Sequence, residues 1–530
     1  MLRWHSAAGG AVLGALFLSG SAQAEPAVAP PPTAPRAAAE EWTPQAESQQ
    51  APHHLRSFAE LGAGLGLGLG GYWVFKNDNV TDWDNPQLAQ RFNGSAWVLD
   101  NNGIGVNFLG HPSWSSLTYS FARANHQSVA GAFGYAFLFS FIWEFVVEFK
   151  EKVSLNDVMV TPGTAVPIGE FFYKLGLYLD TGHQRSAGVQ TLRWLLGTGV
   201  ALDRALDGRA PPLVTSFDNL GFSRQIWHEF SADYGAVAVS TADASSYARL
   251  FAGGSGRLVT LRGYGRAASF GRGFWGAEVS DFAVASEASR YGAGFLVDAD
   301  TILAGYHAQA IQRRGHVDRG AWVTVGTSIG YEYLRSSANR YATVEQAVGL
   351  PRPALRSHSP TDREQFAAFD LPGLAADVRG LGSWGNFDLS TRLEPSFGGL
   401  GAAAFYDWTA ANPEEQSKHV LHKHGYFYGW GGSLRVRARL ALGPLRAGFD
   451  LRYASYQSQD GLDRFQDRVT VDAHASGDVL RCSGSLGIAP PKSPVAVGLE
   501  LGVRQFRSRV GEFERTARGV EQGVSATWTF

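Results

Sequence analysis

The stretch LRVRARLALGPLRAGFDLRY, residues 434–453, alternates apolar and polar residues along two segments that a Gly-Pro pair separates. Successive side chains of a β-strand point to opposite faces, so each segment has one apolar face and one face rich in arginine and glycine. The apolar face lasts about nine residues, long enough for a tilted strand to cross a bilayer. The pattern predicts an antiparallel pair of membrane-crossing strands.

The same alternation recurs in residues 323–333, 495–503 and 524–530. A soluble β-sandwich also alternates, but its strands are usually about five or six residues long. We therefore predict a fold of the α+β class in which residues 220–530 form an antiparallel transmembrane β-barrel of about 12 strands. The last strand ends on Trp528 and Phe530. It resembles the closing strand of bacterial outer-membrane proteins, which implies that the barrel-assembly machinery is a partner.

The polar faces of these strands should line the barrel lumen. The residues expected there are Arg435, Arg437, Arg439, Arg446, Asp450, Arg452, Glu500 and Arg504. If the lumen is open, this lining favours anions, and if it is filled, the charges pair with one another. A barrel of this size allows both arrangements.

Composition limits the functional classes. The chain has 530 residues and a formal net charge of -2, which argues against a nucleic-acid partner. It contains 64 glycines and 12% aromatic residues but only 18% charged residues, as expected of a β-rich protein that presents apolar side chains to its surroundings. The single cysteine, Cys482, excludes an internal disulfide and a metal site built from several cysteines.

The N-terminus has the three parts of a secretory signal. Arg3 supplies a positive charge, residues 7–18 are apolar, and Ala22-Gln23-Ala24 is a small-x-small cleavage site. We predict a signal peptide over residues 1–24 and cleavage near Ala24, followed by a Pro/Ala-rich linker over residues 25–54. The expected location is the bacterial outer membrane, reached through the periplasm, with outer-membrane lipid around the barrel.

Residues 55–210 have a different pattern and predict a helical module. Helices are expected over residues 113–124, 128–152, 165–179 and 186–206, with a break at residues 161–163. The glycine-rich segment 61–75 fits either a strand or a helix. Polar residues in these apolar helices are candidates for a site. They are Asn107, His111, Arg123, Trp143, Glu144, Glu148, Asp157 and Glu170.

Two runs in this module, residues 92–128 and 140–176, resemble a known bacterial family, the domain of unknown function 3943. The resemblance covers roughly residues 55–180. Its motifs are Asp100-Asn101-Asn102, Asn107, His111-Pro112, Tyr119, Arg123, Trp143-Glu144, Glu148, Glu151, Ser154, Asp157 and Gly169-Glu170. The family implies a bacterial envelope setting and no established activity.

The polar residues of the module allow two interpretations. In one, His111 converges with Glu144 or Glu148 to act as acid and base on a lipid, or to bind a metal. In the other, Arg123 pairs with Glu144 or Glu148, His111 donates to a backbone carbonyl, and the cluster only locks the helices together. The second is favoured because structural ion-pair networks often imitate such sites. No Gly-x-Ser-x-Gly motif stands beside these residues, and no His-Glu-x-x-His motif occurs.

The predicted function is therefore an outer-membrane barrel with a helical plug or cap and an envelope structural or transport role. The alternative is an outer-membrane lipid-modifying enzyme that uses His111 with Glu144 or Glu148. We expect no cofactor, no metal and no nucleic acid, and a non-enzymatic role is favoured.

Overall fold

The computed structural model describes residues 41–74, 83–183, 186–210, 212–241, 246–315, 317–339, 363–490 and 493–530. The predicted signal peptide, its cleavage near Ala24 and residues 25–40 of the predicted linker lie outside these residues. The described end of the linker contains a short helix, α1 (Pro44–Ser48). The Thr43 hydroxyl caps this helix by accepting a hydrogen bond from the Ala46 amide.

A series of helices follows in the described part of the module. They are α2 (His54–Val74), α3 (Leu88–Phe92), α4 (His111–Ala124), α5 (Val129–Ile142), α6 (Leu155–Asp180), α7 (Ala187–Leu196) and α8 (Thr198–Asp207). A π-helical turn, Val106–Gly110, leads into α4, and a second one, Trp143–Val147, continues α5. Two short parallel strands, β1 (Trp97–Val98) and β2 (Val153–Ser154), pair beside these turns.

Helix α6 has 26 residues and continues through Pro162 and Pro167, so the predicted break at residues 161–163 is wrong. Almost every residue of α6 from Val160 onward is buried, and this packing outweighs the local preference of proline to end a helix. The helix predicted over residues 186–206 is instead two helices. They meet at Gly197, whose backbone lies against Gly176 of α6, too close for a larger residue.

The C-terminal region is a single antiparallel sheet. Its strands are β3 (Trp227–Thr241), β4 (Ser246–Val259), β5 (Ser269–Phe274), β6 (Val279–Ser289), β7 (Gly292–Arg314), β8 (Val317–Asn339), β9 (Arg363–Leu381), β10 (Gly385–Gly401), β11 (Tyr426–Leu442), β12 (Leu445–Ser458), β13 (Ala475–Ile488), β14 (Val495–Val510) and β15 (Phe513–Thr529). Strand β3 pairs with β15, and β7 pairs with β8, so twelve strands close into a barrel. The short β5 only extends the sheet beside β7. The predicted barrel is confirmed.

The strand register separates the lumen from the outer wall. Arg435 of β11 forms an ion pair with Asp298 of β7, which is not its neighbour in the sheet, so both side chains point into the lumen. Val297 and Ala299 flank Asp298 and therefore point outward. Exposed aliphatic side chains lie on the same outward-facing side elsewhere, namely Leu250, Leu486, Val497, Leu499, Leu501 and Val524.

Side chains from several strands and from loops meet inside the lumen. At the end with the longer loops, a buried apolar cluster joins Phe405 and Trp408 of the loop helix α9 (Phe405–Ala411) to the lumen-facing Phe366 and Tyr456. The next loop helix, α10 (His419–His424), adds Leu421 to this cluster. Below it, ion pairs cross the barrel and border a cavity of about 300 Å³.

The helical module packs against the outside of the barrel. The ring of Phe171 in α6 stacks on Phe282 of β6 with centroids 5.1 Å apart, and Gly163 of α6 lies against Phe369 of β9. Both phenylalanines point outward. Phe282 pairs with the outward-facing Ala299, and Phe369 pairs with Tyr331, which itself pairs with Ala299. The predicted helical plug or cap is not confirmed: α6 packs on outward-facing side chains, while side chains of the loop helices α9 and α10 join the apolar cluster inside the lumen.

Helix α5 forms the outer layer of this arrangement. Together with its π-helical continuation it spans Val129–Val147, which is long and apolar enough to cross a membrane, and only 33% of that stretch is buried. Its exposed side carries an aromatic series at helical spacing, with Phe133, Phe137, Phe141 and Phe145 stacked in sequence. The exposed surface of α5 is therefore apolar, like the outer wall of the barrel.

Candidate functional site

Most of the predicted site residues lie where the module meets the barrel loops. We call this group the rim cluster and define it as Asp100, His111, Glu144, Glu148, Glu151 and Asp157 with the guanidinium groups of Arg91 and Arg464. It is positioned by the start of α4, the end of α5, the start of α6 and the loop between β12 and β13. Five carboxyl groups therefore share a small, largely buried volume.

His111 and Asp157 form a pair at the centre of the rim cluster. The Nδ1 atom of His111 lies 2.9 Å from Oδ1 of Asp157, and 24% of the His111 side chain remains exposed. The Ser154 hydroxyl caps α6 by accepting from the Asp157 amide, which fixes the carboxylate at the first turn. Burial opposes the charged form of His111, but the Asp157 carboxylate raises the pKa of this imidazole to about 9, so it is protonated near pH 7.

Glu144 and Glu148 do not contact His111 through a hydrogen bond. Glu144 accepts from the Ser154 amide at 2.8 Å, and its other carboxyl oxygen is buried with no partner among the described residues. Glu148 accepts from the Trp143 indole at 2.9 Å. The carboxylate that holds His111 is therefore Asp157, and the predicted pairing of His111 with Glu144 or Glu148 is not what the structure shows.

Burial dominates the electrostatics of the rim cluster. Desolvation, assisted by the nearby charge of Glu151, raises the pKa of Glu148 to about 8. Desolvation and the charge of Asp157 also raise the pKa of Asp100. Such shifts are common at functional sites and also in structural networks, so they do not separate the two interpretations.

Two arginines that sequence analysis did not single out hold the rim cluster together. Arg464, from the loop between β12 and β13, pairs with Glu151 at 2.9 Å and with Asp100 at 3.4 Å. Arg91 is fully buried and donates to the backbone carbonyls of Glu144 and Glu151. No sequence pattern marks either residue, because each reaches the cluster from a distant segment.

Arg123 and Glu170 belong to a second, separate cluster. Arg123 pairs with Glu170 at 2.7 Å, and the Tyr119 hydroxyl donates to the same carboxylate at 2.8 Å. Lys174 lies 3.8 Å from Glu170 and donates to the Ser280 hydroxyl of β6 at 2.8 Å. The predicted ion pair of Arg123 with Glu144 or Glu148 is wrong, since α6 presents Glu170 to Arg123 of α4. This cluster ties α4 and α6 to the barrel.

Asn107 lies at the edge of the rim cluster, against the outer wall. Its side-chain amide donates to the hydroxyls of Tyr426 and Tyr428 on β11. The Tyr426 hydroxyl in turn donates to the Asn102 carbonyl at 2.7 Å. These tyrosines anchor the loop that carries the first motif of the family resemblance.

The residues predicted to line the lumen share one face of β11, β12 and β14. Register places together Arg435 with Arg452, Arg437 with Asp450, Arg439 with Gly448, Arg446 with Ala441, Glu500 with Ser485, and Arg504 with Arg481. Arg435 and Arg452 both contact Asp370. Arg437 and Arg439 pair with Asp450 at 3.0 and 2.7 Å and are about half exposed. Arg446 donates to the Gly443 carbonyl at the turn.

Residues 96–198 match the family described as domain of unknown function (DUF3943). No curated protein matches the chain. Among solved structures, the β domain of the Bordetella autotransporter BrkA is 12% identical, covering 57% of this chain and 99% of that chain with a TM-score of 0.20. The transport unit of the autotransporter AIDA-I from Escherichia coli is 9% identical, covering 59% and 93% with a TM-score of 0.18.

A third similar structure is OmpF of Salmonella typhi in complex with daunomycin, which is 8% identical and covers 57% of this chain and 97% of that chain with a TM-score of 0.19. The predicted family resemblance is confirmed, although the matched region begins and ends later than residues 55–180. Residues 96–198 thus match DUF3943, and they precede a closed antiparallel barrel of twelve strands.

Proposed function

We propose that this protein is an outer-membrane barrel with a non-conducting lumen, whose outer wall holds the helical module within the lipid, so that its role in the envelope is structural. The observation that carries the proposal is the set of ion pairs across the lumen. Arg435 reaches Asp298 on β7 and Asp370 on β9, and Arg452 reaches Glu332 on β8. Side chains that pair across the lumen narrow it, which supports a barrel that does not conduct ions.

The outer surface of the barrel supports a location in the outer membrane. A closed barrel satisfies all strand hydrogen bonds and can therefore sit in hydrocarbon. Leu499 and Leu501 of β14 and Val524 of β15 are more than half exposed on the outward-facing side. At about 1.5 Å per residue the 26-residue helix α6 is about 39 Å long, enough to cross the roughly 30 Å hydrocarbon layer beside the barrel.

Reconstitution into planar bilayers tests the lumen. The purified full-length protein should give no regular conductance steps, while an open porin measured in parallel gives them. Reproducible steps from the wild-type protein, altered in size by Arg435→Ser, would overturn the proposal. In that case the transport role anticipated from the sequence would be favoured.

Spin labelling tests the position of the module. In a Cys482→Ser background, a nitroxide at Phe137, on the exposed side of α5, should be accessible to oxygen and shielded from a water-soluble nickel complex. A label at Glu512, in the exposed turn between β14 and β15, is the aqueous control. Equal nickel accessibility at both positions would place α5 in water and contradict the proposal.

The His111–Asp157 pair supports a second candidate, a lipid hydrolase, because the pair is partly exposed and lies beside an apolar outer surface. In this candidate Asp157 orients His111, which acts as general base on water once it has lost its proton, near pH 9. The purified protein would be incubated with phospholipid and lipopolysaccharide in mixed micelles, and released fatty acid measured by mass spectrometry.

Loss of product in both His111→Gln and Asp157→Asn would support the hydrolase. The matched control is His474→Gln, which removes an exposed histidine that also pairs with an aspartate, Asp460, at 2.8 Å. Product that does not exceed the His111→Gln background would eliminate the enzyme candidate and leave the structural role intact.

A further inference from the structure

A second histidine site lies at the other end of α4 from the rim cluster. His53 precedes α2, His126 follows α4, and Asp203 belongs to α8. One potential ligand atom from each residue lies within 4.8 Å of the other two. The two imidazole rings meet edge to face with centroids 5.3 Å apart. Three segments far apart in sequence therefore bring metal-binding side chains to one place.

The backbone of His126 is unusual. Its φ of 62° lies in the left-handed region, which residues with a side chain seldom adopt. Its amide donates to the Arg123 carbonyl at 3.0 Å and so ends α4. Only 4% of His126 is exposed. The turn therefore directs an imidazole into the protein at a position where a glycine or asparagine would normally suffice.

The ring nitrogens of His126 carry the argument. Both are buried, and neither has a hydrogen-bond partner among the described residues. The Nδ1 atom of His53 is also buried without a partner there. Buried polar atoms without partners are rare, and a bound ion is one of the few explanations for them.

The charges around the site include arginines, which must be weighed against a cation. Asp203 pairs with Arg56 at 2.6 Å and with Arg209. The wider group contains four guanidinium groups and five carboxyl groups: Arg56, Arg193, Arg204, Arg209, Glu47, Glu60, Asp180, Asp203 and Asp207. Oδ1 of Asp203 accepts a hydrogen bond from Arg56 and Oδ2 accepts one from Arg209, and a carboxylate oxygen that accepts one hydrogen bond still has a lone pair for a metal.

We propose that His53, His126 and Asp203 bind one Zn²⁺ ion, with a water molecule as the fourth ligand. Two imidazoles and one carboxylate form a known ligand set for this metal. Ligand atoms in a tetrahedral site with bonds of about 2.0–2.1 Å lie about 3.3 Å apart, so small side-chain rotations from the observed geometry suffice. The ion cross-links the segment before α2, the α4–α5 turn and α8, and thereby stabilises this end of the module.

Metal binding by the full-length protein tests the proposal. The protein is purified in detergent with a tag that contains no histidine, stripped with a chelator and titrated with Zn²⁺ against a fluorescent chelator. We expect one ion per chain. His126→Ala and His53→Ala should each weaken binding by more than about 100-fold, since even outer-shell substitutions cost about 10–100-fold at such sites.

Two controls separate ligands from neighbours. Asp207→Asn alters the ion-pair network without removing a ligand, and His474→Ala removes an exposed histidine of a barrel loop. Both should bind Zn²⁺ as the wild type does. If the His126 variant fails to fold, the Co²⁺-loaded wild-type protein supplies an independent reading, because a tetrahedral site gives intense visible absorption bands. Absence of stoichiometric Zn²⁺ binding to the wild type, or equal affinity in His53→Ala, would overturn the proposal.

Discussion

Tyr331, on the outer wall of β8, donates a hydrogen bond to the backbone carbonyl of Phe108 in the π-helical turn before α4. In a regular helix this carbonyl would accept from the residue four positions later, but that residue is Pro112, which has no N–H. A tyrosine of the barrel thus supplies the donor that the sequence of the module lacks. Barrel and module are joined by a specific polar contact as well as by apolar packing.

Tyr331→Phe should loosen this junction. It leaves the buried Phe108 carbonyl without this donor, at a cost of about 1–3 kcal/mol, which corresponds to about 5–150-fold faster opening. Hydrogen exchange of the amides in residues 106–124 measures the effect. Tyr234→Phe, at a half-exposed position on the outer wall of β3, is the matched control. Equal exchange in the two variants would show that the hydroxyl does not matter.

Gly163→Ala should weaken the docking of α6. A Cβ atom there would lie 2.2 Å from the Phe369 ring, and such overpacking costs about 1–3 kcal/mol. At Gly134 of α5 a Cβ would meet nothing within 4 Å, so Gly134→Ala should leave stability unchanged or slightly higher. Thermal loss of helical circular dichroism reports both. Adding Phe369→Ala should restore part of the loss, and a failure to do so would point away from this contact.

Arg392→Met should destabilise the barrel strongly. Arg392 pairs with Asp300 and Asp377 at 2.6 and 2.7 Å, and leaving these buried acids uncompensated costs about 3–5 kcal/mol. Arg313→Met removes an exposed ion pair with Asp318 and should leave stability nearly unchanged. Urea unfolding in lipid vesicles, followed by tryptophan fluorescence, compares the two. Similar midpoints would mean that water reaches the lumen acids freely.

Glu148 should make the module less stable at alkaline pH. Burial raises its pKa to about 8 from the ordinary value of 4.5, so the folded state holds a proton that the unfolded state releases. The stabilisation is complete below pH 4.5 and is lost as the pH rises toward 8. Thermal unfolding from pH 5 to pH 9 should show this decline in the wild type and a flatter profile in Glu148→Gln. Glu512→Gln, in an exposed turn, should keep the wild-type slope.

The barrel was predictable because period-two alternation survives in each strand. The segment 434–453 forms most of β11 and β12, and Gly443 and Pro444 form the turn between them. Residue pairs across the lumen, such as Arg435 with Asp298, were not predictable, since strand periodicity assigns a face but not a partner across the barrel.

The module was less predictable because its contacts are made far along the chain. Pro162 predicts a helix break, yet α6 continues because its buried faces pack on strands that follow more than a hundred residues later. The rim cluster depends on Arg464, which comes from a barrel loop. The position of the module outside the barrel also has no sequence signature, since apolar helices fit either side of the wall.

The docking of α6 on β6, β7, β8 and β9 also sets an order of assembly. The helices come first in the chain, but the strands against which α6 packs, from β4 to β9, lie within residues 246–381. Until those strands have formed, the Arg123–Glu170 pair and the Gly163 face of α6 lack the barrel surface against which they pack. Docking of the N-terminal module therefore follows formation of these strands, and a truncated chain that ends before β6 lacks most of the surface to which the module binds.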